Sequence, residues 1–171
     1  MATSYLGFFM PKDPVQTMVH EKGKGGNKTQ AVVVHLLEQL PPQRYIVYLD
    51  NLFTSNALLD YLRTLDFGVI STARIDAGIV QRLVDMKKNA GKKGHKLKYN
   101  DLFTAVSPSG RVCHMLWNDN APALFLSNCT DGSSTVKTTR HKPGKTSTNA
   151  TTAREFFGNE HTKEIDEPLF A

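Results

Sequence analysis

The hydrophobic pattern changes period twice between Thr29 and Leu65. Val33, Leu36, Leu37 and Leu40 recur at helical spacing, Val32 and Val34 widen the apolar face, and His35 and Glu38 lie toward the polar side. This predicts a helix over 29–40, capped by Thr29 and packed on a sheet. Pro41-Pro42 stops it, because proline cannot extend the helical hydrogen-bond ladder. Tyr45–Leu49 is then an unbroken run of β-branched, aromatic and aliphatic residues, which reads as a short buried strand ending on Asp50. Asn51, Leu52 and Phe53 form a turn. Thr54 or Ser55 caps a second helix over 55–65, with Ala57, Leu58, Tyr61, Leu62 and Leu65 as its buried stripe and Asp60 and Arg63 near its solvated edge. Asp66-Phe67-Gly68 turns the chain into a β-branched strand over 69–72. Upstream, Ser4–Met10 reads as a strand and Pro11–Asn27, with its prolines and glycines, as a loop. The order β-α-β-α-β implies a sheet covered by helices.

After Arg74 the pattern shifts. Ile79, Leu83 and Met86 support a short helix from Ala77 to about Asn89. A basic run with interspersed glycines follows, carrying Lys87, Lys88, Lys92, Lys93, Lys96 and Lys98. Leu102–Val106, Val112–Asn118 and Ala123–Ser127 read as three strands of a meander, with Ser107-Pro108-Ser109-Gly110 as the first turn and Asn118-Asp119-Asn120 as the second. From Asn128 to Thr152 the chain is rich in Ser, Thr, Lys and Gly and poor in apolar residues, so it is expected to be irregular. Ala153–Phe157 adds a helical turn, and Leu169-Phe170 find little to pack against.

Composition narrows the class only modestly. A 40% hydrophobic fraction over 171 residues allows one modest core. No apolar run approaches the ~18 residues of a membrane span, and the apolar N-terminal residues lack a preceding basic region, which argues against secretion. Cys113 and Cys129 lack metal-ligand spacing with each other or with the scattered histidines, so a structural zinc site is not indicated. The two thiols fit a reducing compartment, and would pair only if two strands brought them together. A net charge of +5 is compatible with a polyanion partner or with a mildly basic soluble surface. Gly23–Thr29 and Gly144-Lys145-Thr146 look like phosphate loops, but the first has Asn27 where glycine is needed and the second lacks an upstream glycine and strand.

Asp50 is the residue with chemical promise. A carboxylate at the C-terminal tip of a strand, just before a helix, lies where open α/β sheets hold ligands and metals. The alternative is an Asx turn to the following backbone amides. The segment around it, Y-L-D-N-L-F-T-S, resembles the D-N-x-[FY]-[ST]-S segment of piggyBac-type transposases. The resemblance continues in order through Lys28-Thr29-Gln30, Gly68–Arg74 and Trp117-Asn118-Asp119 to Leu126-Ser127, over roughly residues 25–165.

That resemblance implies an α/β fold: a partial RNase H-like β-α-β-α-β core over 1–74, a β-rich insertion subdomain over 75–130, and a basic, largely irregular tail over 131–171. It implies DDD chemistry, in which three aspartates hold two divalent ions, usually Mg²⁺. Two cations about 3.5–4 Å apart activate the attacking oxygen and stabilise the leaving one, and hard cations select carboxylate oxygens. Asp50 matches the second aspartate, as catalytic residue and metal ligand. The first is expected upstream of the segment resembling Ser4–Met10 and the third in a G-G-V-D segment beyond Phe170, so neither Asp13 nor Asp166 is a match.

A chain holding one of three aspartates is expected to be a catalytically inactive transposase remnant, or alternatively a non-enzymatic DNA- or partner-binding domain derived from one. A third reading has another chain complete the site, which requires a full-length relative; the partners expected are DNA and a homo-oligomer or such a full-length transposase relative. Lys87, Lys88, Lys92, Lys93, Lys96, Lys98, Lys137, Arg140, Lys142 and Lys145 are the candidate DNA-phosphate contacts, against a solvated charged loop as the alternative. The family resemblance implies a nuclear or nucleo-cytoplasmic location.

Overall fold

The sheet is built outward from one strand. A computed structural model describes residues 28–144 and 151–169; the strand expected over 4–10, the loop over 11–27 and Lys145 lie outside them. Strand β1 (Ile46–Leu49) pairs in parallel with β2 (Gly68–Ala73), through the crossover helix α2 (Asn56–Thr64). Beyond the segment that follows β2, β3 (Leu102–Val106), β4 (Cys113–Asn118) and β5 (Pro122–Ser127) form the expected antiparallel meander. Its last strand returns to β2, with Ile70 opposite Ser127 and Ala73 opposite Leu124. The result is a mixed five-stranded sheet in the order β1-β2-β5-β4-β3, so the strands from the expected insertion region continue the same sheet as β1 and β2.

Alternation along the strands separates two faces. Val69, Ala73, Leu116, Leu124 and Leu126 point into one core, shared with all three N-terminal helices. Those helices are α1 (Lys28–Glu38), α2 and α3 (Gln81–Asn89). Ile70, Met115, Trp117 and Phe125 form a smaller cluster on the opposite face.

The helices differ from expectation in phase. In α1 the buried line is Gln30, Val33, Val34 and Leu37, while Leu36 and Leu40 are half-buried and Thr29 lies inside the helix instead of capping it. In α2, Ser55 is the cap: its hydroxyl accepts the Leu58 N–H at 3.1 Å. Leu58, Leu59 and Leu62 are buried, whereas Ala57 and Leu65 are exposed. Leu59 packs inward because the helix lies flat on the sheet and presents adjacent positions to it. Helix α3 begins at Gln81, later than expected, since Ala77 and Ile79 are buried in the segment before it.

β1 is a correction. It was expected to be buried, yet Ile46 and Tyr48 are each 58% exposed. The strand lies at the sheet end among the described residues, and only Val47 and Leu49 face the core. An unbroken apolar run does not reveal which of its two faces is covered.

The region past 130 is also more ordered than expected. β6 (Thr135–His141) and β7 (Thr162–Pro168) form an antiparallel ribbon, and α4 (Thr151–Phe157) lies between them in sequence. Cross-strand charge pairs stabilise the ribbon, with Lys137 Nζ 3.0 Å from Glu164 Oε1 and Arg140 paired with Glu167. Tyr99, Ala153, Phe157 and Ile165 supply a small core. Polar composition misled here because a two-stranded ribbon needs only one covered face. The ribbon is tied to the main sheet through Asn100, which donates to the Asp166 carbonyl at 2.7 Å and accepts the Trp117 indole N–H at 2.8 Å.

Candidate metal-ligand turn and basic surface

Asp50 directly follows β1, at the end of the parallel pair. Its Oδ1 accepts the Leu52 N–H at 2.9 Å, an Asx turn, and its carbonyl accepts from Phe53 N at 3.1 Å and Thr54 Oγ1 at 2.9 Å. The Asx turn is therefore present, and Asp50 is exposed to solvent at the strand end.

Two hydroxyls beneath the turn had no signal in the sequence. Thr54 was read as a possible cap, but it is buried against Ser71 of β2. Ser71 Oγ in turn reaches the Leu49 and Thr72 carbonyls at 2.8 and 2.9 Å. The turn is thus fastened to the neighbouring strand through side chains as well as backbone. On the outer side, Arg74 Nε donates to Asn51 Oδ1 at 3.1 Å, which links the far end of β2 to the residue after Asp50.

The donor chemistry at Asp50 suits a hard divalent cation, but the donor number does not. Among the described residues no group of three or more His, Cys, Asp or Glu side chains could hold a metal ion. One carboxylate with one oxygen already engaged by an amide does not make a two-ion site. The described residues therefore do not fit a complete Mg²⁺ centre.

The transposase IS4 family profile matches residues 2–157. The chain belongs to that family. No curated protein matches it significantly. Among solved structures, this transposase-family chain resembles the piggyBac transposase in a cryo-EM structure of its synaptic complex with hairpin DNA, with a TM-score of 0.50 and 16% identity. The match covers 82% of this chain and 26% of that one, so the chain spans about a quarter of the length of that transposase. At this identity the likeness establishes the fold: a mixed α/β sheet with helices, shared with part of the piggyBac transposase.

The candidate phosphate-contacting residues divide by what they already touch. Arg140 pairs with Glu167, lies 3.8 Å from Asp119 Oδ1 and covers the Trp117 ring at 6.0 Å. Burial works against its charge, but the Glu167 bond and Asp119 outweigh it and hold its pKa above the ordinary value. Lys96 pairs with Glu155, Lys137 with Glu164, and Lys142 donates to the Gly158 carbonyl. Lys92 donates to Asn89 at 2.9 Å. Lys88, Lys93 and Lys98 are exposed, and among the described residues no ion pair engages them. Lys87 is half-buried, and burial pushes its ammonium pKa down. The two cysteines are both free thiols, and among the described residues no helix is long and apolar enough to cross a membrane.

Proposed function

We propose that this transposase-family chain carries Asp50 as the second aspartate of a piggyBac-type metal centre and does not cleave DNA by itself. The carrying observation is the donor set at Asp50: a solvent-facing carboxylate at the end of a strand that belongs, among the described residues, to no group of three or more His, Cys, Asp or Glu able to hold a metal ion. In-line phosphodiester cleavage by two cations needs several carboxylates converging on one point. The test is a nicking and strand-transfer assay on hairpin and duplex DNA with Mg²⁺ or Mn²⁺. No product is expected from the 171-residue chain. Turnover that disappears in Asp50→Ala would overturn the proposal.

A DNA-binding role without chemistry is supported by a different observation. Lys88, Lys93 and Lys98 are exposed cations left without intramolecular ion pairs among the described residues, along one stretch of a chain with net charge +5. The fold neighbour is itself described as a complex with hairpin DNA. Such a surface binds through counterion release, so affinity falls steeply as salt rises. Fluorescence anisotropy on labelled duplex between low and physiological salt measures this. Affinity that ignores salt, or no binding at low salt, removes the role.

A further inference from the structure

A cavity of ≈ 450 Å³ lies between the last turn of α3, the β4–β5 connection and the start of α4. Leu97, Ala121 and Pro122 give it an apolar wall, while Lys87, Asn120 and Thr151 contribute polar groups. Asn118 holds the wall in shape: it is buried, and its amide donates to the Lys98 carbonyl at 2.8 Å and the Leu97 carbonyl at 3.4 Å. Lys96 also borders the space, but its charge is met by Glu155 of α4.

Lys87 is different. It is half-buried at this cavity, and among the described residues its ammonium has no hydrogen-bond or ion-pair partner. Withdrawing a cation from water without a counter-charge is costly. Burial accordingly lowers its pKa. An anion entering the cavity would remove that cost. The volume falls within the usual range for a small-molecule site, about 300–1,000 Å³. One uncompensated cation matches one negative charge, which is the charge of a phosphodiester. The apolar wall offers a surface for a flat ring, which a free phosphate ion would leave unused.

We propose that this cavity takes one nucleotide unit of a single DNA strand, with its phosphodiester on the Lys87 ammonium and its base against Leu97, Ala121 and Pro122. The proposal rests on the DNA-binding role above and refines it, since a duplex is too wide to enter a half-enclosed cavity of this size.

Amide NMR on the full chain, titrated separately with the tetranucleotide dT4, thymidine and inorganic phosphate, tests it. The expected result is a saturable shift of the Gly91, Leu97 and Ala121 amides with dT4, and at least a tenfold weaker affinity in Lys87→Met. Thymidine and phosphate should each bind more weakly than dT4. Circular dichroism melting of Lys87→Met checks that the variant is folded, and Lys87→Arg, which keeps the charge, should bind dT4 better than Lys87→Met. Equal binding by wild type and Lys87→Met would overturn the proposal. So would phosphate shifting the same amides as strongly as dT4, which would indicate an anion site only. If dT4 leaves these amides unmoved while duplex still binds with a salt dependence, the cavity assignment alone fails. If neither DNA form binds, the DNA-binding role fails with it.

Discussion

His114 Nε2 lies 2.8 Å from Asn56 Oδ1 while its Nδ1 accepts the Val80 N–H at 2.9 Å. Val80 has only a hydrogen to offer and Asn56 presents its oxygen, so the ring is neutral, with its proton on Nε2. The histidine, 1% exposed, joins β4 to the start of α2 and to the segment leading into α3. Burial lowers its pKa. Its unfolded counterpart titrates near 6.5, so the unfolded chain takes up the proton first as pH falls. The stability His114 contributes is complete above about pH 6.5 and is lost as pH falls through its lower folded pKa. Urea midpoints at pH 7.5 and 5 should therefore separate more in the wild type than in His114→Gln. Equal separation in both would refute this assignment.

Asn128 should be among the costliest polar side chains to remove. Its Oδ1 accepts the Val69 N–H at 2.6 Å, and its amide donates to the Leu59 and Phe67 carbonyls at 2.9 and 3.0 Å. Asn128→Leu leaves a buried donor and two acceptors behind, each costing about 1–3 kcal/mol. A loss of roughly 3–5 kcal/mol in urea unfolding is expected, and a loss below about 1 kcal/mol would contradict this account.

Asp50 should be dispensable for folding as a charge. Asp50→Asn keeps an oxygen to accept the Leu52 N–H, so its melting temperature should match the wild type. Asp50→Ala loses that bond, worth about 1 kcal/mol. A marked destabilisation by Asp50→Asn would mean that the charge has a structural role.

The basic residues should split in their effect on DNA binding. Replacing Lys88, Lys93 and Lys98 by alanine should reduce the slope of log affinity against log salt, by about 0.9 for each lost phosphate contact. Replacing Lys137, which pairs with Glu164, should leave the slope nearly unchanged. Equal effects from both sets, measured by anisotropy, would show that intramolecular pairing does not decide which cations reach the phosphates.

The element order from α1 to β5 was legible because each piece states its period locally. Leu102–Val106 matched to the residue, bounded by polar residues before it and the Ser107–Gly110 turn after it. The phase of α2 was not legible, because the choice between Ala57 and Leu59 depends on how the helix lies on the sheet. The β6–β7 ribbon was hidden for another reason: Arg140 finds Glu167 only after a turn and a helix intervene, so neither strand carries its partner's signal. At the candidate site, Asp50 and its turn were readable from D-N-L-F-T-S. The Thr54–Ser71 contact beneath was not, since it joins residues 17 apart through a pairing that exists only once β1 and β2 are adjacent.

The position of β2 has a kinetic consequence. Its partnership with β1 closes through one short helix, and the meander closes through tight turns, so both can form early from nearby residues. Joining them requires contacts such as Val69 with Asn128, 59 residues apart, and closing a long loop must precede any reward from such contacts. The seam between β2 and β5 is therefore where the barrier to folding is expected to lie, and substitutions there should slow refolding more than they speed unfolding.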